Sequence, residues 1–495
     1  MHSVDILLVN PANSGKVYGS LREGLSAVEP PLWSALIAGY LRKRGFSVSV
    51  VDAEAEGWDD IRTAEEIILC RPLLACLSAV GANPSASSTP KMPSISSILR
   101  ILKERSPDIK TALFGIHPSA VPKVTLENER IDFLCRGEAF YTLEKLLSIL
   151  VSGRNKKDID IRGLWYKSDG RIVENGWGEL VRDLDELPFA AWDLLPMPKY
   201  RAHNWHCFGR LDKRQPYGVI YTSLGCPFNC SYCNVNALYD GNPGIRYRSL
   251  IGVADEIGAL RDEYGIQNLK ILDELFVMKE ERVLEFCDLM IKRGYDLNMW
   301  AYARIDTVNE RVLERMKEAG INWLSYGIES GSRKVRENVT KRGFGRAAIE
   351  RAISITHAAG ISVIGNFMFG LPEDDMETMG RTLETAKSLD LEYANFYSTM
   401  AYPGSKLYDE EIKKGTRLST NWLAYSQLGE DTEPMGTKKL SPKQIVGFRD
   451  KAFRDFFEDP AYLAGIKKKF GENEVGHIRK MLEHDIKRAP LGCSS

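Results

Sequence analysis

The sequence predicts two consecutive α/β units, an open doubly wound sheet followed by a partial (β/α)6 barrel of the TIM type, and then a helical C-terminal segment. Strand and helix patterns alternate through the first part of the chain, and after a Pro-rich stretch the alternation restarts with a longer step. We place the boundaries at 1–150 for the first unit, 151–206 for a hairpin and linker, 207–410 for the barrel and 411–495 for the helical segment.

Five short β-rich runs define the first unit, and each ends at small, polar or Pro residues where a strand passes into a loop. They are 5–9, 47–51, 73–78, 111–114 and 131–134. Pro30 and Pro31 precede the run LWSALIAGYLRKR, and Gly45 follows its basic last turn, which predicts a helix between them. Parallel strands alternating with helices predict a flavodoxin or Rossmann-like sheet that binds ligands at the carboxyl ends of its strands.

The next stretch is more irregular. The run GLWYKSDGRIVENG predicts a hairpin, because the pair Asp169 and Gly170 suits a tight turn. The run DLDELPFAAWDLLPMP, rich in Pro, predicts an ordered linker.

Six further strands, separated by amphipathic helical runs, predict the partial barrel. They are 218–222, 268–272, 298–303, 322–326, 362–367 and 394–400. In such barrels the chemistry lies at the carboxyl ends of the strands. The charged helical segment that follows carries no recognisable motif, and we expect it to be a packing or lid element.

The composition excludes some classes of function. Lys and Arg number 66 against 67 Asp and Glu, a net charge of −1, so nothing in the balance drives binding to nucleic acid. No run of about 18 apolar residues predicts a transmembrane segment, and we expect a cytoplasmic protein. Nine cysteines, an odd number in a long chain, argue against a disulfide framework.

The strongest motif is GCPFNCSYC, which spaces Cys226, Cys230 and Cys233 directly after the first barrel strand. Three thiolates on one short loop can hold three corners of a 4Fe-4S cluster and leave the fourth iron open. The alternative is structural zinc, with His206 or Cys207 as fourth ligand, although zinc sites usually pair two short C-x2-C units.

With Tyr232 just before the last cysteine, this motif resembles that of the radical S-adenosylmethionine (SAM) superfamily. The resemblance covers about 217–405 and implies that the three cysteines hold the cluster. It further implies that the open iron chelates the amino and carboxylate groups of SAM. One electron then cleaves the sulfonium to give a 5′-deoxyadenosyl radical, and Tyr232 lies near the adenine.

Other strand ends fit this resemblance. Asp273 or Glu274 would accept hydrogen bonds from the SAM ammonium, although a helix-capping carboxylate is an equal alternative. Arg304 would pair with the SAM carboxylate, with an ordinary ion pair as its alternative. Glu329 would line the SAM site.

The last two barrel strands end in similar motifs. The run GNFMFGLPED would bring the backbone near the adenosine through the following residues: Asn366, Gly370, Leu371 and Pro372. The run AYPGS, from Tyr402 to Ser405, would close the sixth strand as a Pro-Gly turn.

A doubly wound unit ahead of such a barrel resembles the subgroup that carries a cobalamin-binding domain, although the Asp-x-His-x-x-Gly signature of many cobalamin proteins is missing. Loops at 10–14, 78–85 and 115–119 would cradle the corrin, with Asn10, Ser78 and His117 as candidate contacts. His117 is either a cobalt ligand or, as the better interpretation, an ordinary surface histidine.

Two further groups of residues have structural interpretations. Gly137 and Glu138 are interpreted as a turn with a solvent-facing carboxylate. The isolated cysteines Cys70, Cys76, Cys135 and Cys287 should pack as small hydrophobic residues.

The expected activity is cobalamin-dependent methylation of an unactivated carbon in a small molecule or biosynthetic intermediate. It would need an electron donor such as flavodoxin or ferredoxin. A radical rearrangement, cyclisation or dehydration without methyl transfer is the first alternative. A non-catalytic protein that binds an iron–sulfur cluster or a corrinoid is the second.

Overall fold

The computed structural model describes residues 2–19, 24–153, 159–241, 244–341, 343–484 and 486–489. The N-terminal sheet has seven strands in the order β2-β1-β3-β4-β5-β6-β7. Their bounds are β1 (Ile6–Asn10), β2 (Val48–Asp52), β3 (Leu74–Ala79), β4 (Lys110–Gly115), β5 (Phe133–Cys135), β6 (Leu164–Ser168) and β7 (Arg171–Glu174). The first five strands are parallel, which confirms the predicted doubly wound unit. The strand order reverses at β1 and β3, and this opens a crevice at their carboxyl ends.

The helices of this unit pack on both faces of the sheet. They are α1 (Ser14–Tyr18), α2 (Leu32–Lys43), α3 (Ala53–Glu56), α4 (Asp60–Cys70), α5 (Pro84–Ser87), α6 (Met92–Arg105), α7 (Ile116–Ala120), α8 (Pro122–Asn128) and α9 (Phe140–Val151). The helix α2 starts directly after Pro31, as predicted, and is buried from Leu32 to Leu41. Its outer side is covered by the linker, so closely that a β-carbon at Gly39 would meet the carbonyl oxygen of Phe189 at 2.5 Å.

The predicted hairpin forms, but it belongs to the sheet rather than to the linker. Strand β6 pairs antiparallel with β5, and β7 pairs with β6. Asp169 and Gly170 both have positive φ, as the tight turn between the strands requires. Trp165 explains the placement, because its ring is buried against the sheet core and its indole nitrogen donates to the carbonyl of Gly176.

The second unit is a six-stranded parallel sheet in chain order, which confirms the partial barrel. Its strands are β8 (Tyr217–Ile220), β11 (Asn268–Ile271), β12 (Asn298–Ala303), β13 (Ile321–Glu329), β14 (Ser362–Phe369) and β15 (Tyr393–Ser398), while β9 (Ser223–Leu224) and β10 (Arg246–Tyr247) form a small separate pair. The outer helices are α10 (Leu250–Tyr264), α11 (Glu280–Arg293), α12 (Glu310–Glu318), α13 (Arg333–Asn338), α14 (Arg346–Ala358) and α15 (Met376–Ser388). Because all six strands are parallel, their carboxyl ends share one rim.

The C-terminal segment is helical, as predicted, and packs on the barrel. Its helices are α16 (Lys406–Lys413), α17 (Pro442–Phe457), α18 (Pro460–Phe470) and α19 (Glu472–Leu482). A capping box of Ser441 and Gln444 starts α17, whose Phe456 ring packs against Phe396 of β15. Within the described ranges, no helix is both long and apolar enough to cross a membrane.

The two units are joined face to face by a buried ion pair. Lys270 of β11 points into the barrel, and its Nζ lies 2.8 Å from Glu29 Oε2 and 3.1 Å from the carbonyl oxygen of Ala82, both in the N-terminal unit. Both charged side chains are 3% exposed. The pair therefore ties the carboxyl ends of β1 and β3 to the barrel interior.

We expect Glu29→Gln to destabilise the protein strongly, because it leaves the Lys270 ammonium buried opposite a neutral group. Loss of one partner of a buried pair costs about 3–5 kcal/mol. The midpoint of urea denaturation measures this loss of stability. Adding Lys270→Met should recover most of the loss.

The matched control is Glu56→Gln, which breaks a partly exposed pair between the linker and the same unit, that of Glu56 with Lys199. Such a pair contributes about 1 kcal/mol or less. If the Glu29 and Glu56 variants lost equal stability, the buried pair would not hold the units together.

Candidate active site

Three thiols converge on one cavity at the rim of the barrel. Cys226, Cys230 and Cys233 line a cavity of about 270 Å³, which we call the thiol cavity, and residues 83–86 of the N-terminal unit also line it. Burial raises the pKa of Cys226 to about 11 and that of Cys233 to about 12. A bound metal would supply the positive charge that thiolates need there.

The donor set fits an iron–sulfur cluster and does not fit structural zinc. His206 bonds the carbonyl of Asn298, and Cys207 bonds the side chain of Asn268. Asn268 and Asn298 are the first residues of β11 and β12, at the rim opposite to the thiols. In the part of the chain that the structure describes, no three His, Cys, Asp or Glu side chains are placed to hold a single metal ion.

Glu329 joins the thiol loop to the fourth strand end. Its Oε1 accepts a hydrogen bond of 2.9 Å from the Tyr232 hydroxyl and lies 2.6 Å from Lys341 Nζ. The register between β13 and β14 shifts here, and Glu329 has a φ of 65°. A left-handed conformation is costly for a glutamate, and such strain concentrates at functional sites.

Of the two acidic candidates after β11, only Glu274 lines the thiol cavity. It accepts hydrogen bonds from the Tyr239 hydroxyl and from the Gly225 amide, and burial raises its pKa to about 7. Asp273 instead points back to the end of β8, where it accepts from the Thr222 amide and from the hydroxyls of Thr222 and Ser223. The prediction that Asp273 contacts SAM is therefore corrected: its carboxylate instead holds the chain that follows β8. Neither carboxylate caps a helix, since α11 begins only at Glu280.

Arg304 packs against the cysteine loop. Its guanidinium carbon lies 3.9 Å from the ring centre of Phe228, between Cys226 and Cys230 in sequence. Two of its nitrogens bond the Asp306 carboxylate at 2.9 and 3.0 Å, so the ordinary ion pair exists as well. The side chain still lines the thiol cavity.

The fifth strand end divides into a lining residue and a support. Asn366 lines the cavity and donates to Ser325 Oγ at 2.8 Å and to the Tyr326 carbonyl at 3.0 Å. Gly370 is not among the lining residues. Its amide, like that of Leu371, donates to Asp374, a buried carboxylate that the sequence analysis missed.

The Pro-Gly turn after the sixth strand also contributes to the site. Tyr402 lines the thiol cavity. Gly404, with a φ of 87°, lies where a β-carbon would meet those of Ala120 and Ala237 at 2.7 and 2.8 Å.

A second cavity of about 90 Å³ lies at the carboxyl ends of β1 to β3, and we call it the sheet-edge cavity. Asn10 and Ser78, the two candidate cofactor contacts from these loops, line it. Asn10 is also held by protein partners, since it donates to Asp52 Oδ1 at 2.7 Å and accepts from Lys91. Lys91 also lines this cavity, and burial lowers its pKa to about 8.

His117 and Glu138 differ from the sequence interpretation. His117 is 1% exposed, not a surface residue, and stacks edge-on with Trp422 at 4.6 Å between ring centres. Burial lowers its pKa to about 3, and it lines neither cavity described above. Glu138 does not face solvent, because its buried carboxylate pairs with Arg246 of β10 at 2.5 Å. In both cases the partner is remote in sequence.

A third cavity of about 220 Å³, the central cavity, adjoins the other two. It shares Tyr302 and Asn366 with the thiol cavity, and Tyr18, Glu29 and His203 with the sheet-edge cavity. Tyr302 can be predicted from the sequence, because alternate residues of a strand share one face of the sheet. It lies two residues after Trp300, on the inner face of β12.

Comparison with known families gives two matches. The model of the radical SAM superfamily matches residues 220–386, and that of the B12 binding domain matches residues 24–147.

Similar proteins cover most of the chain. An uncharacterized methyltransferase of Pyrococcus horikoshii is 30% identical over 467 residues, 94% of this chain and 94% of that protein. The anaerobic magnesium-protoporphyrin IX monomethyl ester cyclase of Rubrivivax gelatinosus is 28% identical over 390 residues, 77% of this chain and 66% of that protein. The structure of the radical SAM methyltransferase TsrM from Kitasatospora setae, with cobalamin and a [4Fe-4S] cluster bound, has a TM-score of 0.68 at 18% identity and covers 93% of this chain and 90% of that one.

The buried carboxylate of Asp374, which accepts from the Gly370 amide, can be tested through the pH dependence of stability. Burial raises the pKa of Asp374 from 3.8 to about 6, so its stabilising contribution is present below pH 4 and is lost as the pH rises through 6. The free energy of unfolding of Asp374→Asn, measured relative to that of the wild type, should therefore increase by up to about 3 kcal/mol as the pH rises from 4 to 8. Thermal unfolding across this range measures the difference.

Asp375→Asn is the matched control, because a hydrogen bond from Lys439 lowers the pKa of Asp375 to about 2. That variant should be less stable than the wild type throughout the range. If the two variants behaved alike, the assigned burial of Asp374 would be wrong.

Proposed function

Since this chain belongs to the radical SAM superfamily and carries a B12-binding domain, we propose that it is an enzyme that methylates an unactivated carbon with SAM and cobalamin. The observation that carries the proposal is the central cavity, which shares walls with the thiol cavity and with the sheet-edge cavity. A substrate bound there is within reach of both cofactor sites. The structure of TsrM, whose fold is similar, supports this arrangement.

The cysteine loop would hold the cluster. When bound, a 4Fe-4S cluster with SAM supplies a 5′-deoxyadenosyl radical, and cobalamin supplies a transferable methyl group. Cys226, Cys230 and Cys233 provide three thiolates and leave one iron open. Phe228 and Arg304 keep this loop in one conformation, because the guanidinium covers the ring inside the Cys-x3-Cys segment.

We assign the SAM contacts from the lining of the thiol cavity. Glu274 accepts the ammonium group, and binding a cation there favours the ionised carboxylate. Arg304 pairs with the SAM carboxylate through its guanidinium. Tyr232 and Asn366 contact the adenosine, and the ion pair of Glu329 with Lys341 fixes the position of the Tyr232 hydroxyl.

The sheet-edge cavity would hold part of the cobalamin, with the loops after β1 and β3 in contact through Asn10 and Ser78. We do not assign His117 as a cobalt ligand, because its ring is enclosed by Trp422 and Thr89. Residues 83–86, between the two units, would exclude water from the reacting groups.

The relative from Rubrivivax gelatinosus, named as a cyclase, supports a second candidate: a radical cyclisation on the same scaffold without methyl transfer. The mass of the product separates the two, since methyl transfer adds a CH2 group.

We further propose an external one-electron donor such as flavodoxin or ferredoxin to reduce the cluster. We also propose a cytoplasmic location, where thiols stay reduced. The described residues include eight unpaired cysteines, which supports that location.

Metal content tests both cofactor assignments. Protein prepared without oxygen and supplied with cobalamin should contain about four irons and about one cobalt per chain. Elemental analysis with a UV–visible spectrum measures this. Iron without cobalt would refute cobalamin-dependent methylation and favour the cyclisation.

Cys230→Ala should lose the cluster and the formation of 5′-deoxyadenosine, because two thiolates do not hold three corners of a cluster. Cys70→Ala is the matched control. Cys70 is a partly buried cysteine at the end of α4, and that variant should keep both. If SAM cleavage persisted in Cys230→Ala, the assigned site would be incorrect.

A further inference from the structure

The central cavity has aromatic walls. Rings of the residues that line it include Trp205, Trp300, Tyr302, Tyr393 and Tyr397. They come from β12, from β15 and from the linker. Such walls favour a flat apolar molecule, which stacks on rings face to face or edge to face.

The charges on these walls do not cancel. Of the lining residues, Glu29 and Lys270 neutralise each other, and burial lowers the pKa of His203 well below its ordinary value, which leaves the ring neutral. The remaining charge is that of Arg449 on α17, whose side chain is 5% exposed.

Arg449 is only partly satisfied by the protein. Its Nε donates to the carbonyl of Phe396 at 2.9 Å, and its Nη1 donates to Asp450 at 2.8 Å. Its Nη2 has no hydrogen-bond partner among the residues that the structure describes. Arg488 bonds the same carboxylate of Asp450 through two nitrogens, so two cations share one anion. The cluster of Arg449, Asp450 and Arg488 thus keeps one positive charge in excess beside the cavity.

We propose that the central cavity binds the substrate, and that this substrate is an aromatic molecule with one carboxylate, which Arg449 Nη2 binds. A buried guanidinium with an open donor is a specific partner for an oxyanion. One excess charge matches a carboxylate rather than a phosphate dianion. The ring then extends along the aromatic walls toward Tyr302 and Asn366, where the cavity meets the thiol cavity. This inference rests on the proposed function, because it assigns the substrate class of the same site.

Two probes of equal shape test it: indole-3-propionate and its neutral amide, indole-3-propionamide. Calorimetry on the cofactor-loaded enzyme without oxygen should show the acid binding at least about tenfold more tightly than the amide. In Arg449→Gln that preference should fall to within about twofold. Lys451→Gln, which removes an exposed cation of the same helix, should keep it.

Three results would overturn the inference. They are equal binding of acid and amide by the wild type, no binding of either probe, and loss of cobalt or of SAM binding in Arg449→Gln, which would assign Arg449 to a cofactor. If Arg449→Gln does not fold, the wild-type comparison of the two probes decides alone. Metal content and 5′-deoxyadenosine formation, measured on the same preparations, report failure of the proposed function separately.

Discussion

Lys270 places an ammonium group inside the barrel, where its side chain is only 3% exposed, so the rest of the structure has to supply partners for that charge. A charge in such a position is stable only with a well-placed counterion and further hydrogen bonds. Both come from the other unit, as Glu29 and the carbonyl of Ala82. The carboxyl ends of the two parallel sheets must therefore face each other. The crevice that each sheet forms by its own topology then lies beside the crevice of the other, with the central cavity sharing walls with both.

Local patterns were sufficient for much of the fold and for the centre of the site. Strands appear as apolar runs that end at turn residues, and for β12 the predicted bounds, 298–303, are both correct. The cysteine spacing lies within one loop and needs no tertiary information to suggest a cluster. The same holds for α2, since Pro31 and Gly45 mark its ends in the sequence itself.

The errors share one cause, which is a partner distant in the chain. Glu138 looks like an exposed turn residue until Arg246, more than a hundred residues later, is brought beside it. In the same way, the distant Trp422 packs against the ring of His117. The hairpin predicted for the linker instead pairs with β5 of the sheet. Asp273 and Glu274 are adjacent and chemically alike, and only the path of the backbone decides which one lines the cavity. No periodicity or spacing in a single sequence encodes such choices.

Gly404 has a consequence for how accurately two large cofactors can be held. A β-carbon at this turn would first meet the methyl groups of Ala120 and Ala237, so three of the smallest residues meet between the units. As two groups approach, the repulsion between atoms in contact changes far more steeply than the attraction of an ion pair does. The pair of Glu29 with Lys270 draws the units together, and the close packing at Gly404 limits how near they can come at this point. With no side chain at this turn, the two units lie closer together here than any other residue at position 404 would allow.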